Sequence, residues 1–423
     1  MTNVRDLHIE EEILPLLDFT HNDFSKKALI SILKESLDSV DDIVYRQDIL
    51  KGLILNNGIL KDFSYSKVDL LEVYDFLEKH PHNGNSKMNL RRQLLFSEKE
   101  RHNKRGKFIQ FVLLFHKLQT FYFSRLNTKI FPARYQIELV RLIDILSSFN
   151  LSHYELLIRE QRFKSKHVVE LSELISGKTH SGQISSFWKH YFLFEAYLSL
   201  SFAIIKYQFN FPTFTDSKFS LQNVYHPLLV NPVVNNFVAS RNVILLTGPN
   251  MSGKSTFLKA VSLCVYLGHI GLGVPALKAE MPFFSTIAVY INLNDDILSG
   301  YSHFMTEVIN LKNVITKAAT GEKCFAVFDE LFRGTNIEDA VEISTTTITG
   351  LMKFKNSVFL ISTHLHQLKE IEEVKTNNIA TFYIDCELKE NIPQFNYKLK
   401  EGWSDLKLGR ILFENEGLNK MLI

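Results

Sequence analysis

One nine-residue segment constrains the fold of this chain more than any other feature of its sequence. Residues 248–256 read Gly-Pro-Asn-Met-Ser-Gly-Lys-Ser-Thr, which matches the pattern GxxxxGK[ST]. The segment directly follows an apolar run, Val243–Thr247, and opens a stretch with helical spacing. Because a strand before it and a helix after it are the context that this pattern requires, the sequence predicts a phosphate-binding loop between a buried strand and a helix.

The residue types in this segment explain why it suits a phosphate. Glycines let the backbone curl so that successive N–H groups face the ligand, and the start of the helix adds partial positive charge. We expect Lys254 to reach the β- and γ-phosphates of a nucleotide and the Ser255 hydroxyl to coordinate Mg²⁺. The plainer alternative is a chance glycine-rich turn. That alternative does not explain why the spacing and the flanking strand and helix all match the motif.

A second apolar run, Phe325–Phe328, ends in two adjacent carboxylates, Asp329 and Glu330. In a P-loop enzyme the first such carboxylate sits at the carboxyl edge of the sheet, near the metal. The second can orient or deprotonate the attacking water. Many strands end in a solvated acid, so the pair is a candidate for metal binding (Asp329) and catalysis (Glu330) only because the loop motif precedes it.

Two further candidates are weaker when taken alone. His364 follows the apolar run Val358–Ser362, and at the tip of a strand parallel to the other two it would face the γ-phosphate. Its plainer alternative is an ordinary strand-end histidine, one of 15 in the chain. Ser302 lies in Ser-Gly-Tyr-Ser-His-Phe-Met-Thr-Glu (299–307), where its residue type suits a helix N-cap and, by itself, indicates nothing more.

The two halves of the chain differ in periodicity. In residues 1–216 Gly and Pro are sparse, and apolar residues recur with helical spacing, as from Leu139 to Leu146, which predicts an all-helical domain. In residues 217–423 short β-rich runs alternate with helical runs. This alternation predicts an α/β domain with a mostly parallel sheet flanked by helices. The runs Ala380–Cys386 and Phe395–Leu399 predict a late hairpin.

Composition excludes several classes of protein. The 48 basic and 46 acidic residues give a net charge of +2, so any nucleic-acid surface must be local. The three cysteines lie far apart, which excludes a disulfide scaffold and a zinc ribbon. The N-terminal residues lack the pattern of a signal peptide, and no apolar stretch reaches the roughly 20 residues of a membrane span. We therefore expect a cytoplasmic protein without membrane association.

In their order and spacing, GPNMSGKST, GxSxFxxE, DELFRGT and STH resemble the MutS family of DNA mismatch-repair ATPases. The resemblance implies an ABC-type P-loop ATPase domain over residues 217–423 and a lever-like helical domain over residues 1–216. It also implies ATP and Mg²⁺ as cofactors. The positions implied to bind the nucleotide are Gly248, Pro249, Asn250, Met251, Ser252, Gly253, Lys254, Ser255 and Thr256, with Phe237 and Val238 at the adenine.

The same resemblance implies roles for the other candidates. Ser255 and Asp329 would hold the metal, Glu330 would activate water, and His364 would sense the γ-phosphate. Ser302 would complete the site of a second subunit, so we expect a homodimer with composite ATP sites. Lys254, Glu330, His364 and Ser302 are thus the expected catalytic residues.

The chain also departs from the family pattern. It starts about where the family's lever begins, so we expect no mismatch-reading domain, and the helical half is short for an inserted DNA clamp. The expected function is a MutS-like ATPase that couples ATP hydrolysis to DNA association in repair or recombination, without reading mismatches itself. The alternative is a nucleotide-dependent protein-interaction module with no DNA contact. The basic segment Lys99–Lys107 is either a lever tip touching DNA or a solvated loop.

Overall fold

The computed structural model describes residues 2–79, 98–291, 303–332, 334–389 and 392–404, together with single positions between 406 and 422. The chain forms two compact units. One comprises Met1–Leu16, Glu35–Gln47 and Lys206–Ile423, and the other comprises Leu17–Lys34 and Asp48–Ile205. Each unit is therefore built from more than one segment, and the domain ranges 1–216 and 217–423 stay a prediction.

Helices dominate the part of the chain before residue 208. They are α1 (Leu14–Leu17), α2 (Asp23–Lys34), α3 (Val40–Leu55), α4 (Asn57–Leu60), α5 (Lys67–Glu78), α6 (Glu98–Lys117), α7 (Ala133–Ser147), α8 (Leu151–Arg159), α9 (Ser165–His180) and α10 (Gln183–Tyr207). Helix α7 buries one face, through Leu139, Leu142 and Leu146 among others, as the spacing of its apolar residues predicts. Helix α6 contains the whole basic segment Lys99–Lys107, so this segment is helical and not the loop that was one of its two interpretations.

A buried carboxylate anchors the centre of the helical unit. Glu195 lies on α10, most of whose side chains are buried. It accepts hydrogen bonds from the Tyr65 hydroxyl (2.6 Å), the Asn22 amide (3.0 Å), the Ser25 hydroxyl (3.0 Å) and the His21 backbone N–H (2.6 Å). Burial raises the pKa of Glu195, although these donors oppose the shift. The carboxylate thus ties the chain around α2 to α10.

The other unit contains a mixed sheet. The strands of the chain are β1 (Thr2–Asn3), β2 (Thr213–Phe214), β3 (Ser220–Val224), β4 (Asn235–Val238), β5 (Val243–Thr247), β6 (Lys278–Met281), β7 (Thr286–Tyr290), β8 (Cys324–Phe328), β9 (Val358–Ser362), β10 (Ala380–Lys389) and β11 (Ile392–Glu401). Seven form the main sheet in the order β1-β7-β8-β9-β5-β10-β11. Its pairs are parallel except for the final hairpin β10–β11.

Helices flank this sheet. They are α11 (Lys254–His269), α12 (His303–Ala319), α13 (Ile337–Leu351) and α14 (Glu372–Lys375). Every residue of β5, β7, β8 and β9 is buried, as expected for parallel strands covered on both faces. The prediction of a mostly parallel sheet flanked by helices, with a helical region before it, is confirmed, and the antiparallel hairpin makes the sheet a mixed one.

Two features differ from the expectation. The region 1–216 is not wholly helical, because β1 and β2 add strands at its two ends. A second sheet, in the order β2-β6-β3-β4, was not predicted at all. Its strands have two to five residues, too few to show the alternation by which a strand is recognised. Among the described residues, no helix combines the length and the apolar character that crossing a membrane requires.

Candidate active site

The loop between β5 and α11 curls through three residues with positive φ. They are Gly248 (134°), Met251 (69°) and Gly253 (98°), a region of backbone conformation that favours glycine. A Cβ atom on Gly248 would lie 3.1 Å from the Ser252 hydroxyl oxygen, so a larger residue there would crowd the loop. The loop therefore has the tight curl and the helix start that suit a phosphate group.

Lys254, the first residue of α11, points back into this loop. Only 5% of the residue is exposed, and its Nζ donates to the carbonyl oxygens of Gly248 (3.0 Å) and Pro249 (3.2 Å). Burial lowers the pKa of Lys254, while the nearby carboxylates of Glu330 and Asp329 act to raise it. A cation is thus held at the centre of the loop, where it would face a bound anion.

Asp329 joins the ends of three strands. Its Oδ2 accepts a hydrogen bond from the Ser255 hydroxyl at 2.6 Å, and its Oδ1 accepts one from the Ser362 hydroxyl. Its backbone N–H donates to the Tyr290 carbonyl at 2.9 Å. Mg²⁺ prefers hard oxygen ligands and is often held by one carboxylate, a hydroxyl and ligand phosphates. The hydroxyl of Ser255 and the carboxylate of Asp329 fit that donor set.

Glu330 follows directly and turns the chain. Its φ of 58° lies in the left-handed region, which costs a non-glycine residue roughly 1–2 kcal/mol. The backbone N–H holds this turn by donating to the Ser362 carbonyl (3.2 Å) and hydroxyl (3.0 Å). The carboxylate is hydrogen-bonded to His364 Nε2. Such a pair, a carboxylate oriented by a histidine, is suited to handling a proton from water.

These residues converge where the carboxyl ends of β5, β8 and β9 meet, which is the usual ligand-binding edge of a parallel sheet. The structure brings together Lys254, Ser255, Asp329, Glu330 and His364 there; their roles stay a prediction. The predicted trans-acting Ser302 lies outside the described residues.

Sequence reasoning did not assign two supporting residues of this edge. Ser362 bonds both Asp329 and the turn at Glu330. The buried carboxylate of Glu307, on α12, accepts a hydrogen bond from the Phe332 N–H at 2.7 Å and so supports the same turn. Glu307 shares a helix face with the buried Leu311, Val314 and Ala318, and that spacing was the available signal.

A cavity of about 400 Å³ opens beside the loop. Segment 224–235 forms one wall, and Ser252, Gly253, Thr256 and Tyr397 contribute to the other. Among the described residues, the buried Ser252 hydroxyl has no hydrogen-bond partner. A mostly apolar cavity with a few polar groups, adjoining a phosphate-type loop, suits the nucleoside part of a nucleotide.

The other residues predicted to contact the nucleotide do not line this cavity. Phe237 is 1% exposed and packs against the rings of Phe257 and Phe382 at 5.8 Å. Val238 is 53% exposed. Neither residue is among those that line the cavity, and their contact with adenine stays a prediction. Asn250 and Met251 are exposed at the tip of the loop.

Comparison with known proteins shows similarity to MutS proteins. The family model MutS domain V matches residues 244–420. A DNA mismatch repair protein MutS from Bacillus licheniformis is 37% identical over 169 residues, which cover 40% of this chain and 19% of that protein. Another, from Staphylococcus haemolyticus, is 33% identical over 224 residues, covering 49% of this chain and 25% of that protein.

A third similar protein extends the match to the helical half. The DNA mismatch repair protein MutS from Pelotomaculum thermopropionicum is 28% identical over 427 residues, which cover 96% of this chain and 48% of that protein. The chain thus spans at most about half the length of the curated relatives it matches.

Proposed function

Because this chain belongs to the MutS family, we propose that it binds ATP with Mg²⁺, hydrolyses it, and couples the nucleotide state to association with DNA. The proposal is carried by one observation: the cationic loop residue Lys254, the Ser255–Asp329 oxygen pair and the Glu330–His364 pair share one edge of the sheet. Those are the parts that phosphoryl transfer to water requires.

In this proposal the loop and Lys254 bind the triphosphate. The curled backbone directs N–H groups at the phosphate oxygens, and the Lys254 ammonium neutralises charge that builds up as the γ-phosphoryl group leaves. Ser255 and Asp329 would hold Mg²⁺, which would supply further neutralisation of the phosphate charge. The hydrogen bond between Ser255 and Asp329 keeps these two oxygens side by side.

Glu330 would orient the attacking water and accept its proton as the new bond to phosphorus forms. ADP then leaves with the electron pair of the broken anhydride bond, and inorganic phosphate is released. His364 bonds the same carboxylate, so it can keep Glu330 oriented and respond to the γ-phosphate through it. The hydrogen bond from the Glu330 backbone N–H to Ser362 fixes the backbone of this residue at the sheet edge.

Association with DNA rests on the family, whose members compared above are named DNA mismatch repair proteins. We propose that the chain contributes to repair or recombination as a homodimer in which Ser302 acts on the partner's nucleotide. The near-neutral charge of +2 favours a second candidate, a nucleotide-dependent protein-interaction module with no DNA contact.

One experiment tests the ATPase and separates the two candidates. ATP hydrolysis by the whole chain is measured against protein concentration, with Mg²⁺ and with duplex, branched and mismatched DNA at two salt concentrations. A rate per subunit that rises with concentration and responds to DNA supports the DNA-coupled dimer. A rate indifferent to every DNA favours the interaction module, and the absence of ATP binding and turnover would contradict the proposal.

A further inference from the structure

The last strand of the sheet carries a large bulge beside the candidate nucleotide site. The pairing of β10 and β11 passes from Ile384–Leu399 directly to Cys386–Phe395, so one residue of β10 lies opposite residues 396–398 of β11. Tyr397, in the middle of the bulge, has a φ of 54°. A bulky residue rarely adopts this left-handed conformation, and bulges of this kind concentrate next to functional sites, where they aim a side chain.

Hydrogen bonds from two directions hold the bulge. The side-chain amide of Asn235 donates to the Tyr397 carbonyl at 3.0 Å, and its Oδ1 accepts from the Leu399 N–H at 2.8 Å. On the other side, Asn396 Nδ2 donates to Asp385 Oδ2 at 3.0 Å. One side chain of β4, Asn235, thus takes the place of a neighbouring strand and pairs with the backbone on both sides of residue 398.

The bulge places the Tyr397 ring against the phosphate-type loop. A Cβ atom built on Gly253 would lie 3.3 Å from Cδ1 of this ring, so ring and loop are nearly in contact. The ring also stacks beside Phe395, at a centroid distance of 6.0 Å and an interplanar angle of 23°. The residue stays 45% exposed and lines the cavity together with Ser252 and Thr256.

We propose that Asn235 is a positioning residue for nucleotide binding, which acts by holding the Tyr397 ring as a wall of the cavity beside Gly253. The inference rests on the proposed function, since it takes the ligand to be a nucleoside triphosphate with its phosphates on the loop. The two hydrogen bonds from the Asn235 side chain to β11, called the Asn235 clamp below, serve the nucleoside part of that ligand. The phosphate part depends on Lys254 and the loop backbone, whereas the hydrogen bonds of the Asn235 side chain go to β11.

This division of roles makes the inference testable with two ligands, ATP and inorganic tripolyphosphate, each titrated by calorimetry into the whole chain with Mg²⁺. Asn235→Asp preserves the size of the side chain but replaces the amide donor with an oxygen that faces the Tyr397 carbonyl. We expect ATP to bind about tenfold more weakly to this variant. Tripolyphosphate should bind as it does to the unmodified chain.

Two variants serve as controls. Asn236→Asp makes the same chemical change at the next residue, whose Oδ1 accepts a hydrogen bond from the Asn223 N–H at 2.9 Å and can still do so as a carboxylate. It should leave both affinities unchanged. Lys254→Ala should weaken the binding of both ligands, because it removes the cation at the centre of the loop.

A fourth variant, Tyr397→Ala, covers the case in which Asn235→Asp disturbs folding. It removes the ring and leaves the Asn235 clamp in place. It should also weaken the binding of ATP without weakening the binding of tripolyphosphate. Equal losses for both ligands in Asn235→Asp and Tyr397→Ala would show a general distortion of the loop and overturn the inference. An unchanged affinity for ATP in a folded Asn235→Asp would overturn it as well, whatever Tyr397→Ala does. If the unmodified chain binds neither ligand, the proposed function fails first, and the inference fails with it.

Discussion

Acidification should destabilise the chain through His269, the last residue of the helix that begins at Lys254. Its Nδ1–H donates to the Val265 carbonyl at 2.7 Å, and its unprotonated Nε2 accepts from the Phe284 N–H at 2.8 Å. A second proton on the ring would set two N–H groups against each other. Burial of the ring, which disfavours its charged form, lowers the pKa of His269 from 6.5 to about 4.

The sign and size of the effect follow from this shift. Between pH 6.5 and 4 the unfolded chain binds a proton that the folded chain does not, so the free energy of unfolding falls as the pH falls through that window. The stability that the neutral His269 contributes is fully preserved above pH 6.5. Since one unit of pKa corresponds to about 1.4 kcal/mol, acidification from pH 7.5 to 4.5 should cost about 2 to 3 kcal/mol at this residue.

Urea unfolding followed by circular dichroism at several pH values measures this loss. Burial also lowers the pKa of His226 and of His167, so the unmodified chain alone cannot isolate one histidine. The comparison is with His269→Gln, which cannot titrate and should lose about 2 to 3 kcal/mol less over the same range. Parallel pH profiles for the two proteins would refute the argument.

Three further predictions concern single side chains. Glu330→Gln should keep ATP affinity but lower turnover about 10²- to 10⁴-fold, because the amide cannot accept a proton; phosphate release at the unmodified rate would remove Glu330 from the chemistry. Lys254→Ala should weaken ATP binding at least about tenfold in the same titration used above, and an unchanged dissociation constant would contradict the loop assignment. Glu195→Ala should lower the free energy of unfolding by about 3 kcal/mol, because it leaves the donors of Tyr65, Asn22 and Ser25 without their acceptor. A loss below about 1 kcal/mol in urea unfolding would mean that water replaces the carboxylate.

Local patterns determined the central part of the fold and its candidate site. The strands Val243–Thr247 and Val358–Ser362 are found where their apolar runs predict them. Such runs are readable because a strand buried on both faces needs no alternation. The loop after β5 was equally readable, since its glycines and its lysine lie within nine consecutive residues. Asp329 and His364 could be proposed because Asp329 directly follows a strand of this kind and His364 comes two residues after another.

Tertiary structure alone decided the features that depend on distant partners. Asn235 contacts Tyr397 across 162 residues of sequence, and an asparagine at the start of a short strand carries no local sign of such a bond. The small sheet likewise pairs β2 with β6, and its strands become visible only when they lie side by side. Hydrogen bonds between remote segments depend on the path of the whole backbone, whereas strand burial and loop curvature depend on adjacent residues.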